Sequence, residues 1–133
     1  MKSLIVDDDF HTRIILKQLL KVYGECDTVA DGEEAIQAFK LALEDSRPYD
    51  LICLDIMMPY VDGHNTLLKI REIEKNMGLT KPSQEVKVIM ITGLSDPKNA
   101  VKALHKGGAT SYLVKPVDNK QLVKELKSLQ LIR

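Results

Sequence analysis

The sequence predicts an α/β fold, a doubly wound sheet of five parallel strands between two layers of helices. Short apolar runs alternate with segments of helical periodicity along all 133 residues, and strands that are joined by helices run parallel with right-handed crossovers. Hydrophobic residues make up 44% of the chain, which is typical of a globular domain that buries a core. No linker or low-complexity segment interrupts the alternation, so residues 1–133 are predicted to form one domain.

Five short runs, all but the second mainly apolar, predict the strands. In chain order they are SLIV (3–6), CDTV (26–29), DLICL (50–54), VKVIMI (86–91) and SYLV (111–114). The third run is apolar at consecutive positions, as expected for a parallel strand that is buried on both faces. The second run is short and polar, and it therefore fits an edge of the sheet.

Five segments between and after these runs have apolar residues at helical spacing, with residues that start or end a helix. The predicted buried faces are Ile14, Ile15, Leu19 and Leu20 in the first helix; Ala35, Ile36, Phe39 and Leu43 in the second; Leu67, Leu68, Ile70 and Ile73 in the third; and Leu122, Val123, Leu126 and Leu129 in the fifth. The fourth helix is predicted to begin at SDP, with Pro97 in its first turn, and to end at the glycines 107–108. Asp9 is the predicted N-cap of the first helix, and Asp31 with Glu34 forms a predicted capping box for the second.

Composition argues against several classes of function. The 19 basic and 19 acidic residues balance, so no overall charge favours nucleic acid or an anionic membrane, and the lysines of the last helix (Lys120, Lys124, Lys127) are predicted to form a solvated face. No apolar run approaches the roughly 20 residues that a membrane span needs. Cys26 and Cys53 have no further cysteine or histidine at metal-ligand spacing, and two structural thiols suit the cytoplasm, which is the predicted location.

A polar or charged residue comes directly after four of the five predicted strands, in two cases followed by glycine or proline. The residues are Asp7, Asp8 and Asp9 after the first, Asp55 after the third, Thr92 and Gly93 after the fourth, and Lys115 and Pro116 after the fifth. Because ligands of open parallel sheets bind outside the carboxyl ends of the strands, these residues are expected to meet at one crevice. Carboxylates that lie together raise each other's pKa unless a cation neutralises them, and a small set of oxygen ligands suits Mg²⁺.

This combination of residues predicts phosphoryl transfer. Asp55 is the candidate nucleophile, which would attack phosphorus to form an acyl phosphate, while Lys115 and Mg²⁺ would neutralise the phosphoryl oxygens. Thr92 adds a hydroxyl, and Gly93 leaves its backbone N–H open to a phosphate oxygen because it has no side chain. An aspartate at the end of a buried strand is otherwise costly, and its role as nucleophile and metal ligand explains its position.

The segments LIVDDD, LICLDIMMPYVDG, VIMITG and YLVKP together strongly resemble the receiver domain of bacterial two-component response regulators. The resemblance holds in order and spacing over nearly the whole chain. It implies a flavodoxin-like fold with strand order 2-1-3-4-5 and five helices. The short chain further resembles the stand-alone, chemotaxis-type receivers, which lack an output domain. A receiver catalyses only its own phosphorylation and dephosphorylation, so no external substrate is expected.

The resemblance implies a role for each acidic residue of the motifs. Asp55 would accept a phosphoryl group from a phosphohistidine on a sensor histidine kinase or a phosphotransfer protein. Asp8 and Asp55 would bind Mg²⁺ directly, Met57 would bind it through the backbone carbonyl, and Asp7 would act mainly through water.

The remaining motif residues are implied to hold the phosphoryl group and to respond to it. Lys115, Thr92 and Gly93 would contact the phosphoryl oxygens, and the bond from Lys115 to Pro116 would be cis. The Thr92 hydroxyl would move inward and the Tyr112 ring would follow, which changes the surface of the fourth helix, fifth strand and fifth helix. The signal would pass by phosphorylation-dependent binding of a downstream protein, with the receiver as a monomer or a phosphorylation-dependent dimer.

Three other functions are weighed against this one. A Mg²⁺-dependent phosphatase that works through an aspartyl phosphate usually needs a second carboxylate two residues past the nucleophile, where this chain has Met57. A flavodoxin-like cofactor binder would need a phosphate-cradling loop, and the first β-α turn is acidic instead. A constitutive, unphosphorylated interaction module is the third alternative, and the complete set of motif residues argues against it.

Overall fold

The strands form one parallel sheet in the predicted order. The computed structural model describes residues 1–58, 61–93 and 108–133. The strands are β1 (Ser3–Val6), β2 (Cys26–Val29), β3 (Leu51–Asp55), β4 (Lys87–Thr92) and β5 (Ser111–Val114). Their order is β2-β1-β3-β4-β5, so β2 is an edge strand and β3 is central. The predictions of a doubly wound, flavodoxin-like sheet and of a polar edge strand are confirmed.

The helices fall in the predicted segments. They are α1 (Phe10–Leu20), α2 (Gly32–Glu44), α3 (Gly63–Asn76) and α4 (Asn119–Ser128), with a short 3-10 turn at Lys21–Tyr23 after α1. Here α4 is the fifth helix that the sequence predicts. The segment of the predicted fourth helix, from SDP (95–97) up to residue 107, lies outside the described residues. No helix in the described part of the chain is both long enough and apolar enough to cross a bilayer.

Two hydrophobic clusters lie on opposite faces of the sheet. Neighbouring residues of β1 contribute to different clusters, because successive side chains of a strand point to opposite faces. One cluster packs α2 and α3 against the sheet and includes Leu4, Val6, Ala35, Phe39, Leu67 and Ile70. The other packs α1 and α4 against the sheet and includes Ile5, Leu16, Leu20, Leu122 and Leu126. The three-layer α/β/α arrangement is therefore confirmed.

The buried face of α1 agrees with the predicted one only in part: Leu20 is buried as predicted and Leu19 packs against the same cluster, but the two predicted isoleucines do not. Ile14 and Ile15 are 39% and 51% exposed, whereas Leu16 and Leu20 are fully buried. Apolar residues occur around most of this helix, so periodicity alone does not choose a face. Which face is buried depends on the path of the chain from β1 into α1. The pair Leu16 and Leu20, spaced at i and i+4, faces the sheet.

Aspartates cap the helices as predicted, with one difference in detail. The Asp9 carboxylate accepts hydrogen bonds from His11 N at 3.2 Å and from the Thr12 hydroxyl at 2.7 Å. At α2, Asp31 Oδ1 accepts from Glu34 N at 2.8 Å. Glu34 Oε1 in return accepts from Ala30 N at 3.2 Å rather than from Asp31 N. The reciprocal half of the capping box is therefore shifted by one residue.

Replacement of Asp31 by alanine is expected to lower the free energy of unfolding by about 1 kcal/mol, because Glu34 N loses its acceptor at the start of α2. Asp31→Asn keeps a side-chain oxygen at the same place and is expected to retain most of the stability. Urea denaturation monitored by circular dichroism measures both variants. Equal unfolding free energies for the alanine and asparagine variants would show that the cap does not contribute.

Candidate functional site

Three carboxylates meet at the carboxyl ends of β1 and β3. Asp7, Asp8 and Asp55 offer oxygen atoms that all lie within 4.8 Å of one another. Asp7 and Asp55 are buried, whereas Asp8 is exposed. The two strands are adjacent, and Val6 is paired with Leu54, so the residues that follow each strand reach the same edge of the sheet. The structure therefore brings the predicted acidic residues into one crevice.

Asp55 lies inside the sheet rather than beyond it. It is the last residue of β3, paired with Ile91 of β4, and its Oδ1 accepts a hydrogen bond from Met57 N at 3.2 Å. The start of α3 packs closely behind it. A Cβ at Gly63 would lie 2.3 Å from the Asp55 carbonyl oxygen, so only glycine allows this approach. The nucleophile candidate is thus held by the sheet on one side and by α3 on the other.

Lys115 places an ammonium group beside two of the carboxylates. Its Nζ lies 3.0 Å from Asp7 Oδ2 and 3.5 Å from Asp55 Oδ2. The backbone of Lys115 is fixed to the neighbouring strand, since its N–H donates to Thr92 O at 2.7 Å. The Lys115–Pro116 peptide bond is cis, as the resemblance implies. The ammonium group therefore sits at the same edge of the sheet as the acidic residues.

Burial and charge act in opposite directions on these groups. The pKa of Asp55 is raised to about 7: burial is the largest cause and the Asp7 carboxylate adds to it, whereas Lys115 acts to lower this pKa. Burial alone would lower the pKa of Lys115, but the Asp7 and Asp55 carboxylates outweigh this effect and raise it. The cluster is consequently short of positive charge when its carboxylates are ionised.

These features fit a hard divalent cation. The donor atoms are oxygens, which suits Mg²⁺, and three carboxylates bear more charge than one lysine balances. Asp7 Oδ2 is buried and accepts no well-aligned hydrogen bond from any described residue, although the Lys115 ammonium is close to it. Met57 contacts Asp55 through its backbone N–H, and the residue is 67% exposed.

Thr92 and Gly93 lie at the same edge of the sheet, and Tyr112 lies further back. Thr92 is the last residue of β4, paired with Val114 of β5, and its side chain is buried. Gly93 is exposed, and a Cβ built on it would meet no described heavy atom within 4 Å. Tyr112 is paired with Met90, two positions before the end of the β4–β5 ladder, and is 40% exposed.

One residue of the site was not predicted from the sequence. Arg13, in the first turns of α1, donates from Nη1 to the Asp7 carbonyl oxygen at 2.7 Å. Its guanidinium carbon lies 5.7 Å from the centre of the Phe10 ring. A basic residue four positions after Asp9 suggests only an exposed helix residue, and no sequence pattern indicates that this side chain turns back to the end of β1.

The chain is similar to known proteins over nearly all of its length. The family model described as the response regulator receiver domain matches residues 3–127. The chemotaxis protein CheY of Treponema pallidum is 34% identical over 130 residues, which cover 96% of this chain and 81% of that protein. The transcriptional regulatory protein CpxR of Escherichia coli is 35% identical over 129 residues, which cover 96% of this chain and 48% of CpxR. The chain spans about half the length of the transcriptional regulators that it matches.

Solved structures share the fold. A chain in the crystal structure of the CheX–CheY–BeF3–Mg²⁺ complex from Borrelia burgdorferi has a TM-score of 0.80 and 32% identity, with 100% of this chain and 90% of that chain covered. The chemotaxis protein CheY4 of Vibrio cholerae has a TM-score of 0.75 and 27% identity, with 96% of this chain and 97% of that chain covered.

Proposed function

The chain belongs to the response regulator receiver domain family, and we propose that it is a phosphorylation-dependent signalling switch whose phosphoryl acceptor is Asp55. The observation that supports this most directly is the convergence of Asp55 with Asp7 and Asp8, within 4.8 Å, and with the Lys115 ammonium at 3.5 Å. A carboxylate nucleophile, an acidic pair that can hold a cation, and an ammonium group are the parts that phosphoryl transfer to a carboxylate requires.

The donor is a phosphohistidine of a sensor histidine kinase or of a phosphotransfer protein. A carboxylate oxygen of Asp55 attacks phosphorus, and a P–O bond forms as the P–N bond to the imidazole breaks. The imidazole leaves with the electron pair and takes up a proton. The product is an acyl phosphate on Asp55, and the chain acts on no other substrate than this phosphoryl group.

Each neighbour of Asp55 has a defined part in this proposal. Asp8, Asp55 and the Met57 carbonyl would hold Mg²⁺ directly, and Asp7 would hold it through water. Bound Mg²⁺ supplies positive charge to the phosphoryl oxygens. The Lys115 ammonium binds a phosphoryl oxygen from the side where it now contacts Asp55. Asp7 keeps Lys115 in place through the ion pair at 3.0 Å.

The response to phosphorylation runs through Thr92 and Tyr112. Thr92, buried at the end of β4, donates its hydroxyl to a phosphoryl oxygen, together with the N–H of Gly93. The half-exposed ring of Tyr112 then moves into the space behind Thr92. For this to signal, the phosphoryl group must bind one conformation better than the other. A downstream protein in the bacterial cytoplasm recognises the changed surface.

The test is the intact mass of the protein after incubation with acetyl phosphate and Mg²⁺. The wild-type protein is expected to gain one phosphoryl group, because acetyl phosphate replaces phosphohistidine as the donor. EDTA is expected to prevent the gain, and so is the variant Asp55→Asn. Asp9→Asn is the matched control, since Asp9 is a nearby acid that caps α1 and lies outside the carboxylate cluster.

Two results would contradict the proposal. One is a phosphoryl adduct of the same yield on Asp55→Asn, which would place the acceptor elsewhere. The other is a folded wild-type protein that binds Mg²⁺ and gains no phosphoryl group from acetyl phosphate or from a histidine phosphotransfer protein. The second result would favour an interaction module that works without phosphorylation.

A further inference from the structure

Asp7 is held at its backbone atoms and at both carboxylate oxygens. Its N–H donates to Val29 O at 3.3 Å, its Oδ1 accepts from Asp9 N at 2.9 Å, and its Oδ2 lies 3.0 Å from the Lys115 ammonium. The remaining atom, the carbonyl oxygen, accepts from Arg13 Nη1 at 2.7 Å. A side chain of α1 therefore supplies the hydrogen bond that the end of β1 would otherwise lack.

The Arg13 side chain is itself held in place. Its backbone N–H donates to Asp9 O at 3.1 Å in the first turn of α1, and its guanidinium packs against the Phe10 ring at 5.7 Å. The residue is half-buried. A planar guanidinium that is fixed at its base and along one face loses little further freedom when it donates to a carbonyl. The contact with Asp7 O is therefore a preorganised one.

The contact determines the direction of the next residue. The Asp7 carbonyl and the Asp8 nitrogen belong to one planar peptide unit, so a hydrogen bond that fixes the oxygen also fixes the plane from which the Asp8 side chain departs. Among the described residues, none makes a hydrogen bond or an ion pair to the Asp8 carboxylate. Its position near Asp55 thus depends on the backbone.

We propose that Arg13 is a positioning residue for the divalent cation, which it serves by orienting the Asp7–Asp8 peptide so that the Asp8 carboxylate faces Asp55. This inference rests on the proposed function, because it assumes that Asp8 and Asp55 bind Mg²⁺. Arg13 touches neither the cation nor the phosphoryl group in this scheme. It acts only through the backbone.

An electrostatic role and a positioning role of Arg13 predict opposite effects of its removal on Mg²⁺ affinity, which makes the inference testable. Arg13 adds a positive charge near a cation site, so its removal should tighten Mg²⁺ binding if only electrostatics mattered. If the guanidinium orients Asp8, its removal should weaken binding, since residues that orient metal ligands typically contribute about tenfold or more to affinity.

The experiment is a calorimetric titration with Mg²⁺ of wild type, Arg13→Met, Arg13→Gln and Arg13→Lys, each first freed of metal with EDTA. We expect the dissociation constant to rise about tenfold in the methionine and glutamine variants. The lysine variant keeps a donor and a charge but loses the planar group that packs on Phe10, so it is expected to bind Mg²⁺ more tightly than the methionine variant and more weakly than wild type. Arg47→Met is the matched control, because Arg47 pairs with Glu25 on an exposed surface. It is expected to bind Mg²⁺ as wild type does.

A second measurement separates a change in the orientation of the Asp7–Asp8 peptide from a general loss of stability. In metal-free protein, the ¹⁵N amide resonance of Asp8 is expected to shift in Arg13→Met and to stay in place in Arg47→Met. A dissociation constant that is unchanged or lower in both Arg13→Met and Arg13→Gln overturns the inference, provided that wild type binds Mg²⁺ and Asp8→Asn does not. Failure of wild type to bind Mg²⁺ overturns the proposed function together with it.

Discussion

Replacement of Lys115 by methionine is expected to slow the phosphorylation of Asp55 by acetyl phosphate about 100-fold at saturating Mg²⁺. The Lys115 ammonium lies 3.5 Å from Asp55 Oδ2, where it can stabilise charge on the transferring phosphoryl group. Removal of one such donor from a preorganised site typically reduces the rate by about two orders of magnitude or more. Methionine has a similar length without the charge, so the change removes mainly the ammonium group.

The same substitution is expected to tighten Mg²⁺ binding. Lys115 is a cation 3.0 Å from Asp7 Oδ2, and it therefore competes with a divalent ion for the same carboxylates. A gain of about tenfold in affinity corresponds to the loss of one such repulsion, of about 1.4 kcal/mol at a partly solvated site. Slower phosphorylation together with tighter Mg²⁺ binding is a combination that general damage to the fold does not produce.

The measurements are the rate of appearance of the phosphorylated mass and the calorimetric dissociation constant for Mg²⁺. Lys127→Met is the matched control, because Lys127 lies exposed in the last turn of α4, and both quantities are expected to stay at their wild-type values. A rate for Lys115→Met within about threefold of wild type would contradict the role of the ammonium group in the transfer.

The sheet could be predicted because its strands coincide with short runs of mainly apolar residues. Three runs match the observed strands to the residue, and the third and fourth strands differ by one position: Leu51–Asp55 in place of 50–54, and Lys87–Thr92 in place of 86–91. Both strands extend to the polar residue that follows the run. Pairing with the neighbouring strand decides this, since Asp55 is paired with Ile91 and Thr92 with Val114. From the sequence alone, a polar residue after an apolar run gives no sign that its backbone is still paired with the neighbouring strand.

Helix faces were harder to predict than helix positions. In α3, Leu67 and Ile70 are buried as predicted, whereas Leu68 is 51% exposed. In α1 the predicted pair Ile14 and Ile15 is exposed. An apolar residue on a helix indicates only that its burial would be favourable. The path of the chain from the preceding strand decides which of the apolar residues face the sheet.

The acidic cluster could be predicted because the topology of a parallel sheet brings strand ends together. The contacts that support the cluster could not be predicted in this way. Arg13 binds a backbone carbonyl, and a carbonyl group occurs at every residue of the sequence. The same limit applies to Arg71, whose guanidinium binds the carbonyl of Gly108, 37 residues away. Contacts of this kind depend on long-range packing rather than on a local pattern.

Arg71 and Glu74 form a buried link between α3 and the start of two strands. Arg71 Nη1 donates to Glu74 Oε1 at 2.6 Å, and the two side chains are only 16% and 2% exposed. Glu74 Oε2 accepts from Val86 N at 2.7 Å, just before β4. Arg71 Nε and Nη2 both donate to Gly108 O, ahead of β5, at 3.1 Å and 2.8 Å. One ion pair thus fixes the entries to both strands.

Replacement of Arg71 by methionine is expected to lower the free energy of unfolding by about 3 kcal/mol, because it leaves a carboxylate buried without its counter-ion. Urea denaturation measures this loss. Lys69→Met is the matched control on the same helix. It breaks an exposed pair with Glu72 at 3.6 Å, and such pairs contribute less than about 1 kcal/mol.

The double variant Arg71→Met with Glu74→Gln distinguishes the buried charge from lost packing. Glutamine keeps an acceptor for Val86 N and removes the charge, so the double variant is expected to be more stable than Arg71→Met alone. In the wild-type background, Glu74→Gln is expected to be destabilising, because it weakens the bond to Arg71. Glu74→Gln would then lower the stability of the protein that has Arg71 and raise the stability of the Arg71→Met variant. If the two substitutions instead add within about 0.5 kcal/mol, the pair is not coupled, and the stability of this corner of the fold comes from packing alone.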